Sequence, residues 1–165
     1  ENFKNSDYDA TILLCEVDNP SRFGIADVEN DKISKITEKP KNPKSNLAVT
    51  GLYIYDKEVV KIAKTIKPSK RGELEITDIN NNYLKRKKLK VCNLEQGSMW
   101  LDAGTFTTLL QAAHFIQTLQ ERQNIQIGSP ESSALYQKFI SRSQLKKIIK
   151  NSPKNEYFKN LNSLI

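Results

Sequence analysis

Cysteine is scarce in this chain. Two thiols, Cys15 and Cys92, occur in 165 residues, and no C-x-x-C pair exists. That pattern offers neither a zinc motif nor a dithiol redox motif. Each thiol sits inside an apolar, strand-like run, so the expectation is two buried free cysteines rather than a disulfide. His114 is the only histidine; it falls mid-helix, and one imidazole without other ligands is no argument for a metal. Apolar runs such as Ala10–Cys15 are far shorter than the ~20 residues that span a bilayer. No signal peptide is visible, and a cytoplasmic location without a membrane partner is expected. The six glycines do not form a glycine-rich loop of the kind whose N–H groups cradle nucleotide phosphates.

What is present fits an ordinary globular domain with a sizeable core, 38% hydrophobic and 27% charged. The net charge of +7 comes largely from Arg86, Lys87, Lys88 and Lys90 and from Lys146, Lys147, Lys150, Lys154 and Lys159. Such runs are compatible with nucleic-acid binding. A solvated lysine-rich surface is the preferred reading, because no recognised nucleic-acid module occurs and the aromatics are not interleaved with the basic residues. No nucleic-acid partner is expected.

Strands and helices alternate. The apolar run over 10–17 suits a strand covered on both faces, as in a parallel sheet, and Asp18, Asn19 and Pro20 break it. Phe23–Val28 and Ile33–Thr37 read as a hairpin around Glu29-Asn30-Asp31-Lys32. Ala48–Tyr55 and Leu89–Leu94 read as further strands. Asp56 resembles a helix cap; the helix after it places Val59, Val60, Ala63 and Ile66 on one face and stops at Pro68. A second helix is predicted over about 75–86, with Ile76, Ile79, Tyr83 and Leu84 at helical spacing. After Gly97 a short strand or turn ends at Asp102. Thr105 caps the longest helix, whose stripe is Phe106, Leu109, Leu110, Ala113, Ile116, Gln117 and Gln120. Ile125–Ile127 reads as a short strand, and two helices follow over about 132–150 and 154–163. The fold class is α/β. The sequence suggests a main segment over 1–128 and a helical extension over 129–165 for packing or subunit contact.

Several short segments carry chemistry. Glu38-Lys39-Pro40 ends a strand. There a carboxylate can accept hydrogen bonds from hydroxyls and an ammonium can neutralise a phosphate as a point charge, while Pro40 fixes the turn. Arg71-Gly72-Glu73 offers a guanidinium able to grip phosphate through two parallel hydrogen bonds; the plainer reading is a mobile surface loop. Asp102 precedes a small-residue turn. Either it holds Mg²⁺, which takes one or two carboxylates plus phosphate oxygens and water, or it only caps that turn. Gly24 allows close backbone approach. Val49, Tyr53 and Trp100, with Phe23, fit a pocket for a hexose; for Tyr53 and Trp100 the alternative is core packing.

Together, Thr37-Glu38-Lys39-Pro40, Val49 to Asp56, Lys67 to Asn80 and Trp100-Leu101-Asp102-Ala103-Gly104-Thr105 resemble, in order and spacing, the sugar-binding half of the sugar-1-phosphate nucleotidylyltransferases. The likeness extends over nearly the whole chain and is weakest after about position 138. It implies the C-terminal part of a Rossmann-like nucleotidyltransferase sheet with flanking helices, without the N-terminal nucleotide-binding half. It implies glucose 1-phosphate and dTTP as substrates of the full-length enzyme, Mg²⁺ as cofactor, and a homo-oligomer, dimer or tetramer. By the same resemblance, Lys39 and Arg71 hold the sugar phosphate as the catalytic pair. Gly24, Glu38, Val49, Tyr53 and Trp100 line the sugar pocket. Asp102 is one of two metal-binding aspartates, the other belonging to the missing half, so its metal site should be weak. Because the part that cradles the triphosphate and reads the base is missing too, the 165-residue chain alone is expected to be inactive.

Several positions depart from the family pattern. Phe23 stands where a tyrosine is usual, and Thr37 where an acidic residue is. Glu95-Gln96-Gly97-Ser98 replaces a Gly-Arg-Gly-Tyr-like run. Tyr136 stands for an arginine in a segment that serves feedback inhibition, which puts that control in doubt. Three other readings stay open. They are a sister enzyme using UTP or another sugar 1-phosphate, a non-catalytic binding or assembly module, and a basic anion-binding domain.

Overall fold

The computed structural model describes residues 7–29, 32–95, 97–123 and 125–165. The chain divides after Trp100 into two compact units, a division that falls inside the 1–128 segment marked by the sequence.

The first unit is built on β1 (Ala10–Glu16), β2 (Gly24–Glu29), β3 (Lys32–Glu38), β4 (Leu47–Tyr55) and β5 (Leu89–Asn93). They form one sheet in the order β3-β2-β4-β1-β5. The sheet is mixed: β1 runs parallel to β5 and antiparallel to β4. All five predicted strands of this part are present. The parallel-sheet expectation for β1 needs correction, however. Ala10, Ile12 and Leu14 are at most 1% exposed; on the opposite face Thr11 is buried at 7%, but Leu13 and Cys15 are only partly buried. Both thiols are free, as expected, but partly exposed. In the β2–β3 hairpin Glu29 pairs with Lys32; Asn30 and Asp31 of the predicted turn lie outside the described residues.

Two helices cover the core face. In α2 (Ile76–Lys85) the buried residues are Thr77, Ile79, Asn80 and Tyr83, with Ile76 left 37% exposed. Burying each of Ile12, Leu14, Ile36 and Ile79 is worth about 1.5–3 kcal/mol. Helix α1 (Val59–Ala63) is shorter than predicted and rotated: Ile62 points inward and Val60 is 59% exposed. Asp56 caps not the helix itself but the turn before it. Its Oδ1 accepts from the backbone N–H of Glu58 at 3.1 Å and from the Tyr83 hydroxyl at 2.7 Å. The rings of Tyr53, Tyr55 and Tyr83 stack in series, 5.9 and 5.5 Å apart. On the edge strand β3, the Asn81 side-chain amide accepts from the Ile36 N–H at 3.0 Å and donates to the Ile36 carbonyl at 2.7 Å. Strand-edge groups that would otherwise invite another chain are thereby occupied.

The second unit is helical: α3 (Phe106–Gln123), α4 (Pro130–Tyr136), α5 (Arg142–Lys150) and α6 (Glu156–Leu161), then a 3-10 turn over Asn162–Leu164. Thr105 caps α3 as predicted, accepting from the Thr108 N–H at 3.2 Å. The α3 stripe does not form a buried core face: Phe106 is 94% and Leu110 60% exposed. The predicted helix over 132–150 is two helices, because Lys138 takes a left-handed φ of 59° and Ser141 with Gln144 forms a capping box that starts α5 afresh. Ile125–Ile127 is not a strand; the Ile127 N–H donates to Gln120 Oε1 at 2.9 Å, and Gly128 turns the chain at φ +70°.

Candidate functional site

The hairpin brings the first residue of β2 opposite the last of β3, pairing Gly24 with Glu38. The first turn of α2 lies against that pair. The Thr77 hydroxyl donates to Glu38 Oε2 at 2.7 Å, so Thr77 is buried and Glu38 is held with its carboxylate at the strand end. A Cβ placed on Gly24 would come within 3.1 Å of Glu38 Oε2, 3.3 Å of Thr77 Oγ1 and 4.0 Å of Val49 Cβ. Glycine here serves close approach rather than an unusual φ. Gly24, Glu38, Val49 and Thr77 surround one point.

Arg71 is tied to the same point. Its Nη1 lies 3.7 Å from Glu38 Oε1 and 3.3 Å from Glu75 Oε1, and its Nη2 is 2.8 Å from Glu73. The loop that carries it is ordered by its own hydrogen bonds, not a free surface loop. Ser69 Oγ donates to Glu75 Oε1 at 2.9 Å and accepts from the Arg71 backbone N–H at 3.1 Å. Gly72 supplies the turn at φ +79°.

The other predicted residues are placed as follows. Lys39 adopts a left-handed φ of 42°, and its N–H donates to the Phe23 carbonyl at 3.0 Å. A strained non-glycine residue at such a bend costs about 1–3 kcal/mol and persists where its surroundings dictate it. Tyr53 is half-buried; burial, and then the negative charge of Glu38, push its phenol above its ordinary value. Trp100 meets Phe23 edge-on with ring centres 5.0 Å apart. Asp102 belongs to the second unit, where its Oδ1 accepts from the Gly104 N–H at 3.2 Å and shapes the turn.

Sequence reasoning missed Thr77, Glu75 and Ser69 as site residues. For Glu75 and Thr77 the signal was the alternation Glu73-Leu74-Glu75-Ile76-Thr77 at the start of a helix, where polar residues more often serve only as caps; Ser69 lies outside that run.

Among the described residues, no group of three or more His, Cys, Asp or Glu side chains converges to hold a metal. Of the predicted metal ligands this chain holds Asp102 alone, whose carboxylate would need phosphate oxygens and water to complete a magnesium site. Elsewhere on the first unit a cleft of about 1480 Å³ has an apolar floor including Leu14 and Val91 and a rim with Lys35, Lys85 and Lys90. It contains none of the predicted sugar-site residues. No helix among the described residues is long and apolar enough to cross a membrane.

The profile of the family described as Nucleotidyl transferase matches residues 1–119. A glucose-1-phosphate thymidylyltransferase of Neisseria meningitidis serogroup A is 45% identical over 149 residues, which is 90% of this chain and 52% of that protein. Its counterpart from Xanthomonas campestris pv. campestris is 44% identical over 156 residues, covering 94% and 53%. Among solved structures, a candidate glucose-1-phosphate thymidylyltransferase of Bacillus anthracis in complex with sucrose superposes with a TM-score of 0.63 at 47% identity, covering 77% of this chain and 48% of that one. A UDP-glucose pyrophosphorylase complexed with UDP-glucose gives 0.61 at 25% identity, covering 70% and 46%. The chain thus spans about half the length of the curated relatives it matches. On this footing the chain belongs to the nucleotidyl transferase family.

Proposed function

We propose that this chain is the sugar-phosphate-binding part of a glucose-1-phosphate thymidylyltransferase. The observation that carries the reading is the cluster at the β2–β3 strand ends. A carboxylate fixed by Thr77 stands 3.7 Å from a guanidinium, beside a glycine whose missing Cβ lets Glu38 and Thr77 pack close to its backbone. Glu38 accepts hydrogen bonds from hexose hydroxyls, and backbone groups near Gly24 and Val49 complete the pocket. Tyr53 and Trp100 cover the apolar face of the ring. Arg71 and Lys39 neutralise the phosphate, Arg71 through paired N–H groups and Lys39 as a point charge.

In the whole enzyme an oxygen of the sugar phosphate attacks the α-phosphorus of dTTP in line. A phosphorus–oxygen bond forms, and the bond to the leaving pyrophosphate breaks. Such transfer depends on positioning and on charge neutralisation, with no covalent enzyme intermediate. Lys39 and Arg71 contribute by holding the attacking phosphate against its repulsion from the triphosphate. Asp102 is assigned as one carboxylate of the Mg²⁺ site, to be completed by groups outside this chain. The same reading assigns 1–128 to the sugar-phosphate part and 129–165 to packing or subunit contact in a cytoplasmic homo-oligomer. A sister enzyme taking UTP is the alternative, kept because of the likeness to a UDP-glucose pyrophosphorylase.

The test is dTDP-glucose formation from glucose 1-phosphate and dTTP with Mg²⁺, comparing the 165-residue chain with a longer natural chain that contains it. Activity confined to the longer chain is expected. Turnover by the shorter one, or product only from UTP, overturns the corresponding part of the proposal.

A further inference from the structure

Arg71 faces three carboxylates, and they are not equivalent. The side chain of Glu75 is 11% exposed and that of Glu73 is 60% exposed. Glu75 is also bolted in place: its Oε1 takes the Ser69 hydroxyl at 2.9 Å as well as Arg71 Nη1 at 3.3 Å. Glu73 holds only Nη2 in the contacts described, at 2.8 Å, from a solvated position. With Glu38, Glu73 and Glu75 around one guanidinium, the local charge is net negative even with Lys39 counted. A phosphate dianion entering this arrangement unchanged would meet repulsion rather than attraction.

We infer that Glu73 is a displaceable placeholder for the phosphate on Arg71, and that Glu75 is the positioning residue that keeps the guanidinium aimed while the exchange occurs. The inference rests on the sugar-phosphate reading of the site. On binding, the phosphate takes Nη2 from Glu73, whose carboxylate swings into water at little cost because exposed pairs are weak. Nη1 stays on Glu75, which has no room to leave and whose release would strand a buried charge. Glu73 then lowers affinity for the phosphate while keeping Arg71 extended in its absence. Glu75 raises affinity by preventing Arg71 from collapsing onto Glu38.

The two roles predict opposite signs. Calorimetric titration of glucose 1-phosphate into the chain should show Glu73→Gln binding about two- to fivefold tighter than the unmodified protein at low salt. The gain should shrink at 1 M salt, where exposed pairs are screened. Glu75→Gln, which keeps an acceptor for Ser69, should bind about tenfold weaker or worse. Glu58→Gln removes an equal charge paired with Lys61 and should change nothing, which separates a local exchange from net charge. Should Glu75→Gln fail to fold, Ser69→Ala, which removes one of its anchors, should still weaken binding. Unchanged or weaker binding by Glu73→Gln, with Arg71→Ala still destructive, overturns the placeholder and leaves the pocket standing. Arg71→Ala binding as well as the unmodified chain overturns the sugar-phosphate reading itself, and this inference with it.

Discussion

The Thr77 hydroxyl donates to Glu38 Oε2 at 2.7 Å across 39 positions of sequence. One hydrogen bond thus joins the first turn of α2 to the end of β3 and sets the direction of the carboxylate assigned to the sugar. Replacing Thr77 by Val keeps the shape and removes the donor. We expect about 1 kcal/mol of lost stability, read by urea unfolding, together with weaker glucose 1-phosphate binding. Unchanged affinity would show that Glu38 does not depend on this bond for its orientation.

Gly24→Ala tests the close approach. The new Cβ would lie 3.1 Å from Glu38 Oε2 and 3.3 Å from Thr77 Oγ1, so both must give by a few tenths of an ångström. The fold should survive, with a loss of about 1–3 kcal/mol. Affinity for glucose 1-phosphate should fall roughly tenfold, since displaced contact groups lose alignment. A variant that binds normally would place the sugar elsewhere.

The stacked tyrosines make stability sensitive to alkali. Burial, first, and neighbouring groups, second, raise the phenols of Tyr53, Tyr55 and Tyr83 above their ordinary 10.0. A folded state that holds these protons more tightly than the unfolded chain keeps its full stability below that value. It loses stability as pH rises beyond it. Urea unfolding between about pH 8 and 11 should show a falling free energy at the top of the range, with a shallower fall in Tyr55→Phe. That variant also strands Asn80 Oδ1, which accepts from the Tyr55 hydroxyl at 2.5 Å, and should cost about 1–3 kcal/mol at neutral pH. A flat profile to pH 11 would contradict the buried neutral phenols.

Helix α3 gives a prediction of near-silence. Phe106 is 94% exposed and Leu109 54% exposed, so Phe106→Ala and Leu109→Ala in this chain should each change stability by less than about 0.5 kcal/mol. Ile12→Ala in the core should cost about 2–5 kcal/mol. A large loss at Leu109 would mean that the stripe is covered in solution.

That helix also marks where sequence reading stops. Its period of apolar residues correctly gave a helix and its cap at Thr105, because both are local. Whether an apolar stripe is covered is decided by contacts remote in sequence, and periodicity carries no information about them. Likewise β1 was legible as a strand but not as a strand with one dry face, since Leu13 and Cys15 look as apolar as Ile12 and Leu14. The break between α4 and α5 was hidden because Lys138, a good helix former, takes φ 59° against its propensity. At the site, the residue types at Gly24, Glu38, Arg71 and Val49 were visible. The bonds that fix them were not: Thr77 meets Glu38 only through the pairing of two elements remote in sequence.

Titration of glucose 1-phosphate into this chain, beside Arg71→Ala and with inorganic phosphate as competitor, tests the sugar-phosphate site itself. Saturable one-site binding that phosphate competes for and that Arg71→Ala abolishes is expected. Absence of saturable binding by the folded chain, or equal binding by Arg71→Ala, would contradict the sugar-phosphate reading.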